Sequence, residues 1–337
     1  MISIRNHHQD ETSKNYNNTT INEKMEKTSK SILKVLTYNV WFFGGFQKPP
    51  SVKNNSSMTK SPSQREMAML ELTRVNTYNF EERMNAIIDE ILRHNADVVC
   101  LQEMTRWSQE IFMEHKILRT NYDFMFDIQG RYGIAMLTRK GIREGSFQLT
   151  KMNSRMGRNL LHCVVSLNSK RIHVATAHFE SLSNAKLRRE QVKLANDVAS
   201  SFRKSCVASV LCGDFNFCSY RNFSGDGPLE NLVLGEVAPE FVDLWPALLS
   251  KKSKASPMST PDKKTQRDTL GYTFDSKTNT NIKKFERMRY DRIMFRSFRK
   301  ADEVKAESIQ IIGTEEIREI KMHPSDHFGL LALFKTI

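Results

Sequence analysis

Polar residues able to do chemistry recur at the ends of apolar runs in this chain. Asn39 closes the run from Ile32, and Glu103 follows Val98-Val-Cys-Leu101 and Gln102. His178 and Glu180 follow His173-Val-Ala-Thr-Ala177, and Asp214 and Asn216 follow Ala208–Cys212. Asp291 sits in Tyr290-Asp-Arg-Ile293, and Asp326 and His327 precede the last apolar run, Gly329–Phe334. Loops leaving a rigid sheet are where catalytic groups are commonly held. The residue types form a coherent set. Glu103 and nearby carboxylates suit Mg²⁺, a hard cation that prefers oxygen ligands. Asp214 can accept a proton from an attacking water, and Asn216 can orient that water or a phosphate. His327 can donate to a phosphoryl oxygen as charge builds, with Asp291 fixing its ring. Phosphoryl transfer needs this combination of metal, water-positioning base and charge stabilisation.

Each piece has a plainer explanation when taken alone. Gly-Asp-x-Asn is usually just a turn, because Asn and Asp favour turns. Ser325-Asp326-His327 also reads as a loop with local hydrogen bonds. Glu103 also reads as an acidic start to a helix over 104–118. The joint occurrence in chain order is what carries weight.

The elements around these residues follow from periodicity. Met84, Ile87, Ile88, Ile91 and Leu92 recur at helical spacing, and Asn95-Ala-Asp97 ends that helix. Strands are expected over 132–138, 146–152, 159–167, 171–177, 208–212, 290–295, 307–312 and 329–334. A second helix is expected over 185–203, with Leu187, Gln191, Leu194 and Val198 on its stripe. The mixture predicts an α/β fold, a two-layer β-sandwich flanked by helices. Residues 1–31 read as a disordered polar tail and 32–337 as one catalytic domain. Surface insertions are expected near 47–65 and 250–269.

The bulk numbers narrow the function class. The chain has 337 residues and net charge +13. Residues 1–30 hold five basic and four acidic residues, so nearly all the excess belongs to the folded part. A basic body suits a polyanion, with nucleic acid first and a generic soluble surface as the alternative. No apolar run is long enough to cross a bilayer, and no membrane partner is expected. The N-terminus has no apolar core of the signal-peptide kind. The five cysteines are scattered and read as reduced and buried, as in an intracellular protein.

In this order the motifs resemble the endonuclease/exonuclease/phosphatase superfamily. The resemblance runs from about Leu33 to Phe334 through Asn39, Leu101-Gln102-Glu103, His178-Phe-Glu180, Gly213-Asp214-Phe-Asn216, Asp291-Arg292-Ile293 and Ser325-Asp326-His327. Within the superfamily the chain is most similar to the branch that removes tyrosine from 5′ DNA ends. Thr37-Tyr-Asn39-Val, Met156-Gly-Arg158-Asn-Leu-Leu161, Ala177–Ser181, Gly271-Tyr-Thr-Phe274-Asp275 and Phe328-Gly-Leu-Leu331 carry that likeness.

The resemblance implies two packed sheets and Mg²⁺, replaceable by Mn²⁺, held mainly by Glu103 with Asn39 nearby. It implies Asp214 and Asn216 for water and phosphate, and Asp291 with His327 as a dyad. His178 and Ser181 would lie near the scissile phosphate. The implied substrate is DNA with a single-stranded 5′ end bearing a tyrosyl remnant of topoisomerase II. The implied setting is a monomer in the nucleus, with the cytoplasm as a second location. Phe274, Tyr122, Arg158 and Arg131 are the expected DNA contacts, the two aromatics by stacking on bases.

Three departures stand out. The branch's Arg after Gly-Asp-Thr-Asn-Leu is Cys218 here, with Arg221 as a substitute. Phe274 stands where Trp is usual. Residues 1–31 are short and polar compared with the three-helix ubiquitin-binding module many members carry. Other superfamily activities (abasic endonuclease, deadenylase, sphingomyelinase, inositol-phosphate phosphatase) are the rival readings. A non-catalytic nucleic-acid-binding scaffold is disfavoured because all six motifs are intact.

Overall fold

A strand buried on both faces must be apolar on both, and the first ordered run meets that demand. In the computed structural model, β1 (Ile32–Asn39) sends Leu33 and Val35 to one face and Leu36 and Tyr38 to the other, all fully buried. The structure describes residues 31–42, 64–222, 227–249, 263–299 and 303–337, with side chains of the first helix described from residue 79. Residues 1–30 of the tail and most of the insertion over 47–65 lie outside the described residues.

Helix α1 (Gln64–His94) buries Met84, Ile87, Ile88 and Ile91. The chain continues through β2 (Val98–Met104), α2 (Arg106–Glu114), α3 (Lys116–Asn121), β3 (Tyr122–Asp127), β4 (Gly133–Arg139) and β5 (Arg143–Lys151). Next come β6 (Asn159–Leu167), β7 (Lys170–His178), α4 (Ala185–Ser201), β8 (Ala208–Asp214), α5 (Val233–Val237), β9 (Val242–Asp243) and α6 (Leu244–Leu249). Helix α7 (Lys263–Leu270), the short hairpin β10 (Phe274–Asp275) and β11 (Arg287–Met288), then β12 (Asp291–Ser297), β13 (Val304–Ile312) and β14 (Gly329–Thr336) complete it.

Two six-stranded sheets result, in the orders β13-β14-β1-β2-β4-β3 and β5-β6-β7-β8-β12-β9. Their inner faces meet in one apolar layer that includes Val35, Val98, Cys100, Val174, Val210, Cys212 and Ile293. Helices α1 and α2 cover the outer face of the first sheet, and α4 and α5 the outer face of the second. The expected sandwich is therefore the observed one. The parallel neighbours β1/β2 and β7/β8 lie near the middle of the two sheets, and their C-terminal ends deliver Asn39, Glu103, His178 and Asp214. Just below that level, Gln102 Nε2 donates to Thr37 Oγ1 and Thr176 Oγ1, both at 3.1 Å. This buried amide ties the two sheets together beneath the site, and losing it would leave polar groups unpaired.

Several local expectations need correction. The helix expected over 104–118 is strand to Met104, then two helices that break at His115. Thr105 caps α2 through a reciprocal bond pair with Ser108. Strand β3 was not expected, because Tyr122–Asp127 mixes carboxylates with aromatics at a sheet edge. The buried stripe of α4 runs through Arg188, Gln191, Val192, Ala195 and Ala199, rotated from the expected Leu187, Leu194 and Val198. Arg188 takes the inner position because Glu230 pairs with its guanidinium. Residues 263–269 of the expected insertion belong to α7, while 250–262 lie outside the described residues. Tyr122 is not a DNA-stacking residue. It is 2% exposed, its hydroxyl donates to Ala96 O, and it packs in the core beneath α1 and α2.

Candidate active site

The site forms where β1, β2, β7, β8 and β12 end side by side, and local backbone devices aim each side chain. Strand parity would send Glu103 outward with Val99 and Leu101. Instead β2 carries a bulge between Gln102 and Met104, and Glu103 adopts φ +63°. Met104 then takes the outward apolar position and Glu103 turns toward the site. At the end of β8, Gly213 has φ +135°, and a Cβ there would lie 2.0 Å from Ala177 O. Only glycine lets β8 approach β7 this closely. Asp214 Oδ1 then accepts from Asn216 N–H at 2.8 Å, fixing the turn. Asn216 Nδ2 donates to Phe179 O at 2.9 Å, which leaves its Oδ1 for other partners.

Asp214, Asp291 and His327 converge, with one oxygen or nitrogen from each within 4.8 Å of the others. His327 Nδ1 lies 2.8 Å from Asp291 Oδ2, and its Nε2 lies 4.0 Å from Asp214 Oδ2. Burial alone would lower the His327 pKa. The Asp291 carboxylate outweighs it through charge and hydrogen bond, and with Asp214 and Asp326 raises it well above the usual histidine range. The imidazolium therefore presents Nε2–H toward Asp214. Burial, then the Asp291 charge, lifts Asp214 to about 6 against the pull of His327.

His178 completes the inner wall. Arg158 Nη1 lies 3.1 Å from His178 Nδ1, so Nδ1 accepts and Nε2 bears the proton. That Nε2 lies 3.5 Å from Asp214 Oδ2 and 4.0 Å from Glu103 Oε1. Burial, Arg158 and His327 hold the His178 pKa well below normal, so the ring is a neutral donor.

Asn39 Nδ2 donates to Asp214 Oδ2 at 3.0 Å and to Glu103 Oε1 at 3.1 Å, while its Oδ1 accepts from Trp41 N–H. As oriented, Asn39 bridges the two carboxylates with its nitrogen. Its oxygen faces the backbone.

A divalent cation fits the Glu103 side best. His327 is cationic and locked to Asp291, so the Asp214–Asp291–His327 cluster makes a poor cation cage despite its spacing. Glu103 accepts one bond on each oxygen, from Asn39 and from Phe42 N–H, and each oxygen has a second lone pair. Burial raises its pKa. Burial, and Glu103 nearby, also push Asp326 up to about 7, against His327 and Arg83. Mutual repulsion between buried carboxylates is what a hard cation relieves.

The other predicted contacts divide. Phe274 is half-buried, with its ring 5.1 Å from His327, edge to face. Arg158 is 5% exposed, stacked over Tyr132 and bound behind His178, so it supports the wall from within. Ser181 Oγ donates to Met156 Sδ on the loop beside that wall. Arg131 is exposed on the turn between β3 and β4. Arg221 is exposed, with Nε 3.2 Å from Met288 Sδ. Glu180 holds the 154–158 loop through Ser154, Arg155 N–H and Gln191. Sequence reasoning missed Tyr132, which stacks on Phe42 with centroids 4.6 Å apart. It also missed Arg83, buried over Trp41. Neither lies in a motif, although Arg83 on the apolar stripe side of α1 was a visible anomaly.

With this geometry in place, comparison with known proteins identifies the lineage. The model of the endonuclease/exonuclease/phosphatase family matches residues 36–327. The chain is 25% identical over 300 residues to tyrosyl-DNA phosphodiesterase 2 of Xenopus tropicalis, covering 86% of this chain and 72% of that protein. It is also 25% identical over 269 residues to the Xenopus laevis protein of the same name, covering 77% and 63%. Among solved structures it is similar to D. rerio tyrosyl-DNA phosphodiesterase 2 complexed with a single-strand DNA product. That match has a TM-score of 0.64 and 20% identity, covering 91% of this chain and all of the other. The matched span includes every group placed in the site above, and the chain belongs to the endonuclease/exonuclease/phosphatase family.

Proposed function

We propose that this chain is a Mg²⁺-dependent 5′-tyrosyl-DNA phosphodiesterase, with Mn²⁺ able to substitute. It hydrolyses the bond between a tyrosine and the 5′-phosphate of a DNA end, as a proteolysed type II topoisomerase leaves it. One observation carries the reading: a base raised to about 6, Asp214, faces a charged donor, His327, across a buried gap of 4.0 Å. The names of the relatives supply the substrate class. Asp214 takes the proton of the attacking water, and Asn216 with Asn39 holds the base in place. The Nε2–H groups of His327 and His178 face the phosphoryl oxygens. A tyrosine phenolate, pKa about 10, leaves without a strong general acid. A cation held by Glu103 would supply further neutralisation of phosphoryl charge. The products are tyrosine and a 5′-phosphate. The reading carries with it a monomeric catalyst, a nuclear location and single-stranded 5′ ends contacted near Phe274.

Incubation with 5′-tyrosyl, 3′-tyrosyl and abasic oligonucleotides, each with Mg²⁺ and with EDTA, tests this. Release of tyrosine from the 5′ substrate alone, and only with Mg²⁺, is expected. Preferential cleavage at the abasic site would overturn the assignment in favour of an endonuclease.

The metal role has its own check. Glu103→Gln removes the charge but keeps the shape, so half-maximal activity should need at least tenfold more Mg²⁺. An unchanged Mg²⁺ titration removes Glu103 from the cation site.

A further inference from the structure

Residues 323–326 carry the chain to His327 without belonging to a helix or a named strand. Their carbonyls must therefore find partners elsewhere. Asn281 Nδ2 donates to His323 O at 2.9 Å and Ser325 O at 3.1 Å. Asn279 Nδ2 donates to Ser325 O at 2.9 Å and Asp326 O at 3.1 Å. Arg83 Nη1 donates to Pro324 O at 3.3 Å. Four consecutive carbonyls are thus met by side-chain N–H groups. The two asparagines are 1% and 9% exposed and spend both hydrogens of each amide on this one segment. Their oxygens are used as well: Asn279 Oδ1 accepts from Asn281 N–H and Asn281 Oδ1 from His323 N–H.

Both asparagines sit in the turn between β10 and β11. Strand β10 also carries Phe274, whose ring meets the His327 imidazole edge to face. One short hairpin therefore touches the imidazole with a ring and fixes its main chain with two amides. An ordinary surface turn would leave these groups to water and would not need buried donors.

We propose that Asn279 and Asn281 are positioning residues for His327, holding the 323–326 backbone so that the imidazolium stays on Asp291 and aimed at the phosphate. The reaction they serve is the phosphodiester hydrolysis proposed above.

Asn279→Ala and Asn281→Ala, made singly in the full chain, should each lower kcat on a 5′-tyrosyl oligonucleotide roughly 10- to 100-fold with KM within about threefold, the scale of a small misplacement. Proton NMR gives a readout that needs no substrate. The low-field Nδ1 proton of His327, assigned by its loss in His327→Gln, should be sharp in the native chain and weakened or absent in both variants. Asn279→Asp keeps the volume and the acceptor for Asn281 N–H while removing both donors, and serves if the alanine variants do not fold. Folded variants with native kcat and an unchanged proton signal overturn the proposal, as does loss of kcat with that signal intact. Failure of the native chain to release tyrosine overturns the functional reading instead, and leaves the NMR comparison to decide the positioning role.

Discussion

Asp214→Asn is expected to abolish hydrolysis of a 5′-phosphotyrosyl bond and to leave DNA binding nearly intact. The substitution removes the proton acceptor without changing its shape. Removal of a positioned base costs on the order of 10²- to 10⁴-fold. The neighbours make it worse here. Both Asp214 oxygens accept hydrogen bonds, from Asn216 N–H and from Asn39 Nδ2. A carboxamide can accept at one position only, so one buried donor loses its partner, at about 1–3 kcal/mol. The DNA contacts proposed near Phe274 do not involve this carboxylate, so a binding titration with uncleaved oligonucleotide should change less than threefold. The native enzyme should show the same group in its pH profile. Asp214 works when ionised, so activity rises with pH through about 6, or lower once a cation sits at Glu103. Normal turnover by Asp214→Asn would remove Asp214 from the base role.

How much of this was legible beforehand differs from residue to residue. The fold was legible because β1, β6 and β8 are apolar on both faces, and only a buried sheet explains that. The site was legible as a set of strand ends, because Asn39, His178 and Asp214 simply continue their strands. Glu103 was legible by type, while its aim was not. By parity it points the wrong way, and only the bulge turns it inward. Aromatic and cationic residues were the least legible. Tyr122 and Tyr132 flank the same strand pair, yet one anchors the core and the other stacks on Phe42 beside the site. Arg158 looked like a surface contact because nothing local shows that His178 will accept its hydrogen bond. The two asparagines holding the His327 loop are separated from it by more than forty residues, so their role exists only in the folded chain.

Asp291→Asn is expected to move the alkaline limb of the kcat profile to lower pH and to lower kcat at pH 8 by roughly 10²- to 10³-fold, the cost of losing a charged donor to a phosphoryl oxygen. The sign follows from what holds the His327 proton. Burial opposes the imidazolium, and the Asp291 carboxylate, with its 2.8 Å contact, overrides burial and raises the pKa well above the usual value. Replacing that carboxylate with a neutral amide removes the largest influence opposing burial, so the ring loses its charge at lower pH than in the native chain. The Asp291 charge also helps to raise Asp214, so its removal moves the acid limb to lower pH as well. The variant should therefore show an acid-shifted optimum with a lower maximum. Linkage adds a second sign: in the native chain the raised pKa contributes stability fully present below about 6.5 and lost as pH rises through the folded value. The variant's melting temperature should accordingly fall most on the acid side. Profiles of kcat from pH 5 to 10 for native, Asp291→Asn and His327→Gln decide the matter. An Asp291→Asn profile that keeps the native alkaline limb shows that the carboxylate does not hold the proton on His327.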